Sequence, residues 1–112
     1  MKPVNGLPEE RDAGRALRYL EESEEAYARA MASREAAEAA TKIARDSAFL
    51  ASEGTVAERQ ALAGTSLDYR AALEKLEAAY VDLELLKAKR QRAILTLEVW
   101  RSLNSNRRAG IV

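Results

Sequence analysis

The feature that most constrains this chain is a seven-residue repeat in its C-terminal half. One row of the repeat consists of Tyr69, Leu76, Leu83, Arg90 and Leu97, and the adjacent row of Ala72, Ala79, Leu86, Ala93 and Trp100. Rows of this kind form one face of a long α-helix that packs against another helix as in a coiled coil. Leu73, Tyr80 and Ile94 widen the face. Signals for β-strands are nearly absent, so the sequence predicts an all-α fold.

The N-terminal half carries the same repeat, but with small side chains. One row consists of Ala16, Ser23, Ala30, Ala37, Ala44 and Ala51, and the neighbouring row of Leu20, Tyr27, Arg34, Thr41 and Ala48. Small residues at one position of the repeat allow two helices to approach closely, with large side chains of one helix against small ones of the other. The two halves therefore predict a long antiparallel helical hairpin.

Turn and capping residues set the predicted boundaries. Residues 1–8 form a flexible lead, and Pro8 followed by acidic residues is typical of a helix start. Helix A is predicted over about 9–53, the short elbow helix B over about 56–63 and helix C over about 66–104, all in one domain of residues 9–112. Gly54 suits the position after a helix, and Thr55 with Glu58 forms a capping-box pattern. The run from Asn104 to Gly110 is expected to end helix C.

A two-helix layer encloses little apolar surface, and exposed flanks are expected wherever the face is wide. The sequence therefore predicts self-association into a coiled-coil-like dimer, most simply a two-fold dimer that forms a four-helix bundle. The alternative is a monomer that docks its open flank onto another protein.

Composition excludes several kinds of chemistry. The 112 residues include no Cys and no His. Cysteine nucleophiles, thiolate metal sites, Ser-His-Asp triads and Glu-x-x-His di-iron sites are thereby excluded. We expect no cofactor and no enzymatic activity. No apolar run reaches the length of a membrane span, and the N-terminus lacks the pattern of a signal peptide, so we expect a soluble intracellular protein.

The charges are unevenly distributed although the formal net charge is zero. Residues 86–112 carry seven basic side chains against the single acid Glu98, whereas residues 9–25 carry seven acids and three bases. A hairpin would bring these two segments to the same end of the molecule. Either they neutralise each other, or the basic segment is a contact surface.

The candidate contact surface combines an aromatic side chain with arginines and amides at a helix end. Its residues are Trp100, Arg101, Asn104, Asn106, Arg107, Arg108, Lys87 and Arg90. Trp stacks on bases and Arg binds phosphates or carboxylates, and the same residue types form hot spots in protein interfaces. Nucleic acid and protein both remain possible partners. Alternatively, Trp100 is the last core residue of its row, and the arginines complement the negative end of the helix dipole.

Two further patterns leave alternatives open. Arg34 and Arg90 interrupt apolar rows, and each either reaches solvent along the seam or pairs with an acid of an opposing chain. The acidic run Glu21, Glu22, Glu24, Glu25 resembles the first metal motif of all-α nucleotide pyrophosphatases of the MazG and dimeric dUTPase type. That family needs a second Glu-x-x-Asp motif on a facing helix, which this chain lacks, so a solvated acidic face is the simpler interpretation.

The run from Glu98 to Gly110 resembles a group of short phage and prophage proteins that end in Trp-Arg-Ser-x-x-x-Asn-Arg-Arg-x-Gly. The run from Ala48 to Arg59 is similar to that group as well. The resemblance implies a phage product in the cytoplasm of the infected bacterial host. It also implies an accessory protein that binds a component of DNA recombination, replication or host defence. A virion assembly or scaffolding protein and the Mg²⁺-dependent pyrophosphatase are the alternatives.

Overall fold

The computed structural model describes residues 6–110, and this part of the chain consists of four α-helices without any strand. The helices are α1 (Glu10–Glu22), α2 (Glu24–Ala51), α3 (Val56–Gly64) and α4 (Leu67–Arg108). The all-α prediction is therefore confirmed. The predicted flexible lead falls partly on residues 1–5, which lie outside the described residues, as do residues 111–112 at the other end.

The predicted single helix A is divided into α1 and α2 at Ser23, which corrects the sequence-based boundary. Helical hydrogen bonding continues past this residue, because the N–H of Ser23 donates to the carbonyl of Tyr19 at 2.9 Å and Tyr27 donates to Ser23 at 2.9 Å. The guanidinium of Arg90 donates to the carbonyl oxygen of Leu20 at 2.9 Å and to Ser23 Oγ at 2.6 Å. A side chain bonded into the carbonyl ladder is a recognised cause of a local helix distortion.

The elbow forms where the capping residues indicate it. Gly54 has φ +116°, a value that favours glycine, and the hydroxyl oxygen of Thr55 accepts from the backbone N–H of Glu58 at 3.2 Å. The predicted N-cap is thus confirmed, while the carboxylate of Glu58 accepts from the Thr55 hydroxyl at 3.1 Å instead of turning back to the backbone. Arg59 fastens α3 to the end of α2, since its guanidinium donates to the carbonyl of Phe49 at 3.1 and 3.3 Å and covers the Phe49 ring.

The C-terminal helix is longer than the sequence predicts. The expected end near residue 104 is corrected, because α4 continues to Arg108. Asn and Ser cost less than about 0.7 kcal/mol each relative to Ala inside a helix, which the favourable position of Arg107 and Arg108 at the negative end of the dipole offsets. The chain leaves the helix at Gly110, which has φ +74° and donates its N–H to the carbonyl of Arg107 at 3.1 Å.

The chain divides into two compact units. Unit 1 joins the chain up to Tyr27 with the chain from Leu85 onward, and unit 2 comprises Ala28–Glu84. In unit 2, contacts between α2 and α4 join Glu38 to Tyr80 (2.8 Å), Thr41 to Ala72 (3.4 Å) and Arg45 to Tyr69 (5.6 Å to the ring centre). Rising numbers on α2 meet falling numbers on α4, so the two segments run in opposite directions within this unit.

The seven-residue rows mark the protected faces of the helices. Every row member from Ala16 to Ala48, and every row member from Tyr69 to Trp100, is buried or half-buried. The residues expected to widen the face are more open, with Leu73 40%, Tyr80 39% and Ile94 37% exposed. Leu83, at 2% exposed, is the largest fully buried side chain among the described residues. Ala51, the last predicted member of its row, is exposed. The other row members lie on protected faces, and the core along these faces is thin.

Candidate functional site

All predicted contact residues lie on α4 in unit 1, six of them from Trp100 to Arg108 near its end, and Lys87 and Arg90 several turns earlier. The six residues near the helix end divide into a protected and an exposed set. Trp100 and Asn104 are half-buried. Together with Arg107 they line a groove of about 430 Å³, here called the terminal groove, whose other wall includes Leu7 and Pro8. Trp100 is therefore partly packed in the seam and also forms part of the wall of a groove.

The exposed set is split between two faces because the segment is helical. Arg101, Arg107 and Arg108 are exposed, and their spacing places Arg101 and Arg108 on the same line along α4, next to Asn104. Asn106 is exposed as well but lies on the opposite face. A single partner that contacts the arginines cannot also contact Asn106 without wrapping around the helix.

The arginines at this helix end form no close ion pair with α1, although Glu9 and Glu10 line the terminal groove together with Arg107. The ion pairs of unit 1 join Arg11 to Glu9 at 3.2 Å and Arg15 to Asp12 at 3.0 Å, which are neighbours in sequence. No ion pair joins Arg101, Arg107 or Arg108 to any of residues 6–110. Lys87 is exposed and has an interaction partner of its own. Within the described chain, the interpretation as mutual neutralisation has no support from contacts at the last turns of α4.

Arg90 is engaged in packing rather than open to a partner. Its guanidinium is bonded to Leu20 and Ser23 and lies over the ring of Tyr27, 4.9 Å from the ring centre. Arg90 is half-buried, and within residues 6–110 it forms no ion pair with an acid. It satisfies Ser23 Oγ, which belongs to a residue only 7% exposed.

Arg34 has a comparable position in unit 2, but its guanidinium is less completely hydrogen-bonded. Its guanidinium lies over the ring of Tyr80 at 5.3 Å, and its Nε is buried without a hydrogen-bond partner among the described residues. The hydroxyl of Tyr80 donates to the carboxylate of Glu38 at 2.8 Å, and this hydrogen bond, followed by the negative charge of Glu38, raises the pKa of Tyr80 above its usual value. The cluster is a partly exposed polar contact on the flank of the seam.

A second groove in unit 1 was not predicted as a site. This lateral groove, of about 630 Å³, runs between α1 and α4 and is lined by Ala16, Ala93, Leu95 and Val99 together with the cations Lys89 and Arg92. The signal present in the sequence was that Leu95 and Val99 fall outside the seven-residue rows. Side chains of this size at positions that should face solvent indicate a second apolar face.

The acidic run shows no arrangement that would hold a metal. Glu21, Glu22, Glu24 and Glu25 are exposed, and the interruption at Ser23 divides them between α1 and α2. Among residues 6–110 no group of three or more acidic side chains could hold a metal ion. The pyrophosphatase interpretation therefore gains nothing from the geometry.

None of the four described helices is both long and apolar enough to cross a membrane. Comparison with known proteins found no matching protein family, no matching curated protein and no matching solved structure.

Proposed function

We propose that this protein is a non-enzymatic helical binding protein whose contact surface is the C-terminal end of α4. The observation that carries the proposal is that Arg101, Arg107 and Arg108 are exposed, form no ion pair with residues 6–110 and lie beside the half-buried Trp100. Unpaired arginines around an aromatic anchor are typical of surfaces that bind phosphates or acidic protein partners.

The proposed partner is a component of DNA recombination, replication or host defence. This part of the proposal depends on the resemblance to short phage proteins that the sequence of Glu98–Gly110 suggests, and the proposed location is the cytoplasm of an infected bacterium. The contact residues would be Trp100 in the terminal groove, with Arg101, Arg107 and Arg108 as anion contacts. Asn104, half-buried beside them, would contribute an amide, and Lys87 would add charge further along α4.

Fluorescence anisotropy with labelled single- and double-stranded oligonucleotides tests the proposal directly. Binding should weaken steeply between about 50 and 200 mM salt if phosphates are contacted. The double variant Arg107→Gln/Arg108→Gln should reduce both the affinity and the salt dependence. The matched control removes two exposed cations from unit 2, with Arg70→Gln/Lys75→Gln, and should bind as the wild type does.

Failure to bind nucleic acid at low salt would direct the search to a protein partner through the same surface. Pull-down with wild type and with Arg107→Gln/Arg108→Gln would then identify polypeptides that depend on these two residues. Partners retained equally by both forms would place the contact elsewhere and refute the assignment of the surface.

We further propose that the chain forms an antiparallel hairpin that associates into a two-fold dimer. The supporting observations are the thin seam and the exposed apolar side chains beside it, Leu17 in unit 1 and Leu73 in unit 2 among them. Sedimentation equilibrium should give twice the chain mass of 12.4 kDa. Leu73→Glu should shift the mass toward one chain without loss of helix, whereas a single-chain mass for the wild type at all concentrations would contradict the dimer. Formation of large polymers would favour the scaffolding alternative.

A further inference from the structure

The lateral groove of unit 1 is an apolar trough that residues 6–110 leave open, with Gly6, Leu7 and Pro8 among its lining residues. Its base consists of the small buried residues Ala16 on α1 and Ala93 on α4. Its α4 side presents Leu95, 50% exposed, and Val99, 40% exposed. Close approach of two helices through small residues leaves such a trough along one side, and a third helix is the element that fills a trough of this shape.

The charged side chains of the groove that have no ion-pair partner among residues 6–110 are cations. Lys89 and Arg92 lie one helical turn apart on α4, are exposed, and form no ion pair with any of residues 6–110. The acid that lines the groove, Asp12, is already engaged, since its carboxylate accepts from Arg15 at 3.0 Å and from the backbone N–H of Glu9 at 2.8 Å. An occupant with acidic side chains would therefore find two cations available.

We propose that the lateral groove binds an acidic amphipathic helix of a partner protein. Apolar side chains on one face of that helix would cover Leu95 and Val99, and Asp or Glu side chains along its edge would pair with Lys89 and Arg92. Nucleic acid is the less suitable occupant, because its phosphates would lie against Leu95 and Val99, which offer no donor. The cations of the lateral groove are different residues from Arg101, Arg107 and Arg108, although Leu7 and Pro8 line both the lateral and the terminal groove.

A synthetic peptide supplies the test. The probe is a fluorescein-labelled helix of about 15 residues, with Leu at spacings i, i+4, i+7 and i+11 and Glu on both sides of that face. A control peptide has the same composition with Leu distributed around the helix, and a second peptide carries Lys in place of Glu. Anisotropy titrations on the full chain should show binding of the acidic amphipathic peptide and weaker or no binding of both controls.

Charge reversal in the groove makes the test specific. Lys89→Glu/Arg92→Glu should lower the affinity for the acidic peptide about tenfold or more and should raise the affinity for the Lys peptide. Leu95→Ser should lower the affinity for both peptides, because it removes an apolar side chain from the wall of the groove and leaves the charges unchanged. Arg70→Glu/Lys75→Glu is the matched control, since these exposed cations belong to unit 2 and do not line the groove, and it should leave peptide binding unchanged.

Several results would overturn the inference. Equal binding of the amphipathic and redistributed peptides would show that no apolar face is recognised. Equal loss of peptide binding on charge reversal at Arg70 and Lys75 would show only a general effect of charge. Loss of oligonucleotide binding on reversal at Lys89 and Arg92, without an effect on the peptide, would assign these cations to nucleic acid. Failure of the surface at the helix end would appear instead in the oligonucleotide and pull-down assays with Arg107 and Arg108.

Discussion

Arg90 and Ser23 provide a sharp test of how α1 and α4 are held together in unit 1. The guanidinium of Arg90 donates to Leu20 O at 2.9 Å and to Ser23 Oγ at 2.6 Å, and it lies over the Tyr27 ring. Replacement of Arg90 by Leu leaves the hydroxyl of Ser23 buried, with only a long contact of 3.5 Å to Leu20 O. An unsatisfied buried polar group costs about 1–3 kcal/mol, so we expect Arg90→Leu to lower the free energy of unfolding by about 2 kcal/mol.

The double variant should behave differently from the sum of its parts. Ser23→Ala alone removes one of the two hydrogen bonds of Arg90 and should cost about 1 kcal/mol. Ser23→Ala/Arg90→Leu removes the buried hydroxyl together with its donor and places apolar side chains in both rows. Replacement of both partners by apolar groups is often nearly neutral, so the double variant should lie within about 1 kcal/mol of wild type. The expected coupling between the two sites is therefore about 2 kcal/mol.

Urea denaturation followed by far-ultraviolet circular dichroism measures these free energies, at one fixed protein concentration because self-association would shift the midpoint. The helical signal of the double variant should equal or slightly exceed that of wild type, since the distortion at Ser23 loses its cause. Additive effects, with a coupling below about 0.5 kcal/mol, would refute the reasoning that Arg90 and Ser23 act as a unit.

Three other substitutions test the structure away from this contact. Leu83→Ala should lower the free energy of unfolding by about 2–3 kcal/mol, at the lower end for buried leucines because a two-layer seam can close around the lost volume, and urea denaturation checks it. Gly54→Ala should cost about 1–3 kcal/mol in the same assay, because φ at this residue is +116° and the added Cβ would lie 2.8 Å from Oε2 of Glu58. The raised pKa of Tyr80 means that the folded chain holds this phenol proton more tightly, mainly through Glu38. The interaction of Tyr80 therefore contributes fully to stability at pH values below the ordinary Tyr pKa, and this contribution is lost as the pH rises through the pKa of Tyr80 in the folded chain. Tyr80→Phe should remove this pH dependence of stability. In a spectrophotometric titration, the same variant should lack one phenol that ionises at raised pH.

The protected faces were predictable because residues that repeat every seven positions lie along one side of an α-helix. A helix that buries one face must bury that side. Every row position between Tyr69 and Trp100 is protected, including Arg90, whose charge gave no indication of its partner. The interruption at Ser23 was not predictable for the same reason. The side chain that is hydrogen-bonded at Ser23 comes from Arg90, 67 residues away in sequence, so local sequence patterns do not reveal this contact.

At the end of α4 the local pattern predicts a helix end that the structure does not have. The polar run from Asn104 looks like a helix end, but each residue costs only a small free energy, so the helix continues. The consequence for the site is large. A loop would present Asn106 and Arg107 together, whereas the helix places Asn106 on one face and leaves Arg107 in the terminal groove.

The two proposed surfaces can be altered without loss of the fold, because their charged residues lie off the seam. Lys89 and Arg92 in the lateral groove, and Arg101 and Arg108 at the helix end, are all exposed and fall outside the protected rows. Surface substitutions at such positions usually change stability by less than about 0.5 kcal/mol. A loss of binding in these variants can therefore be attributed to the contact itself. Trp100 does not share this property, since it is half-buried in a row of the seam, and its substitution would change packing and contact together.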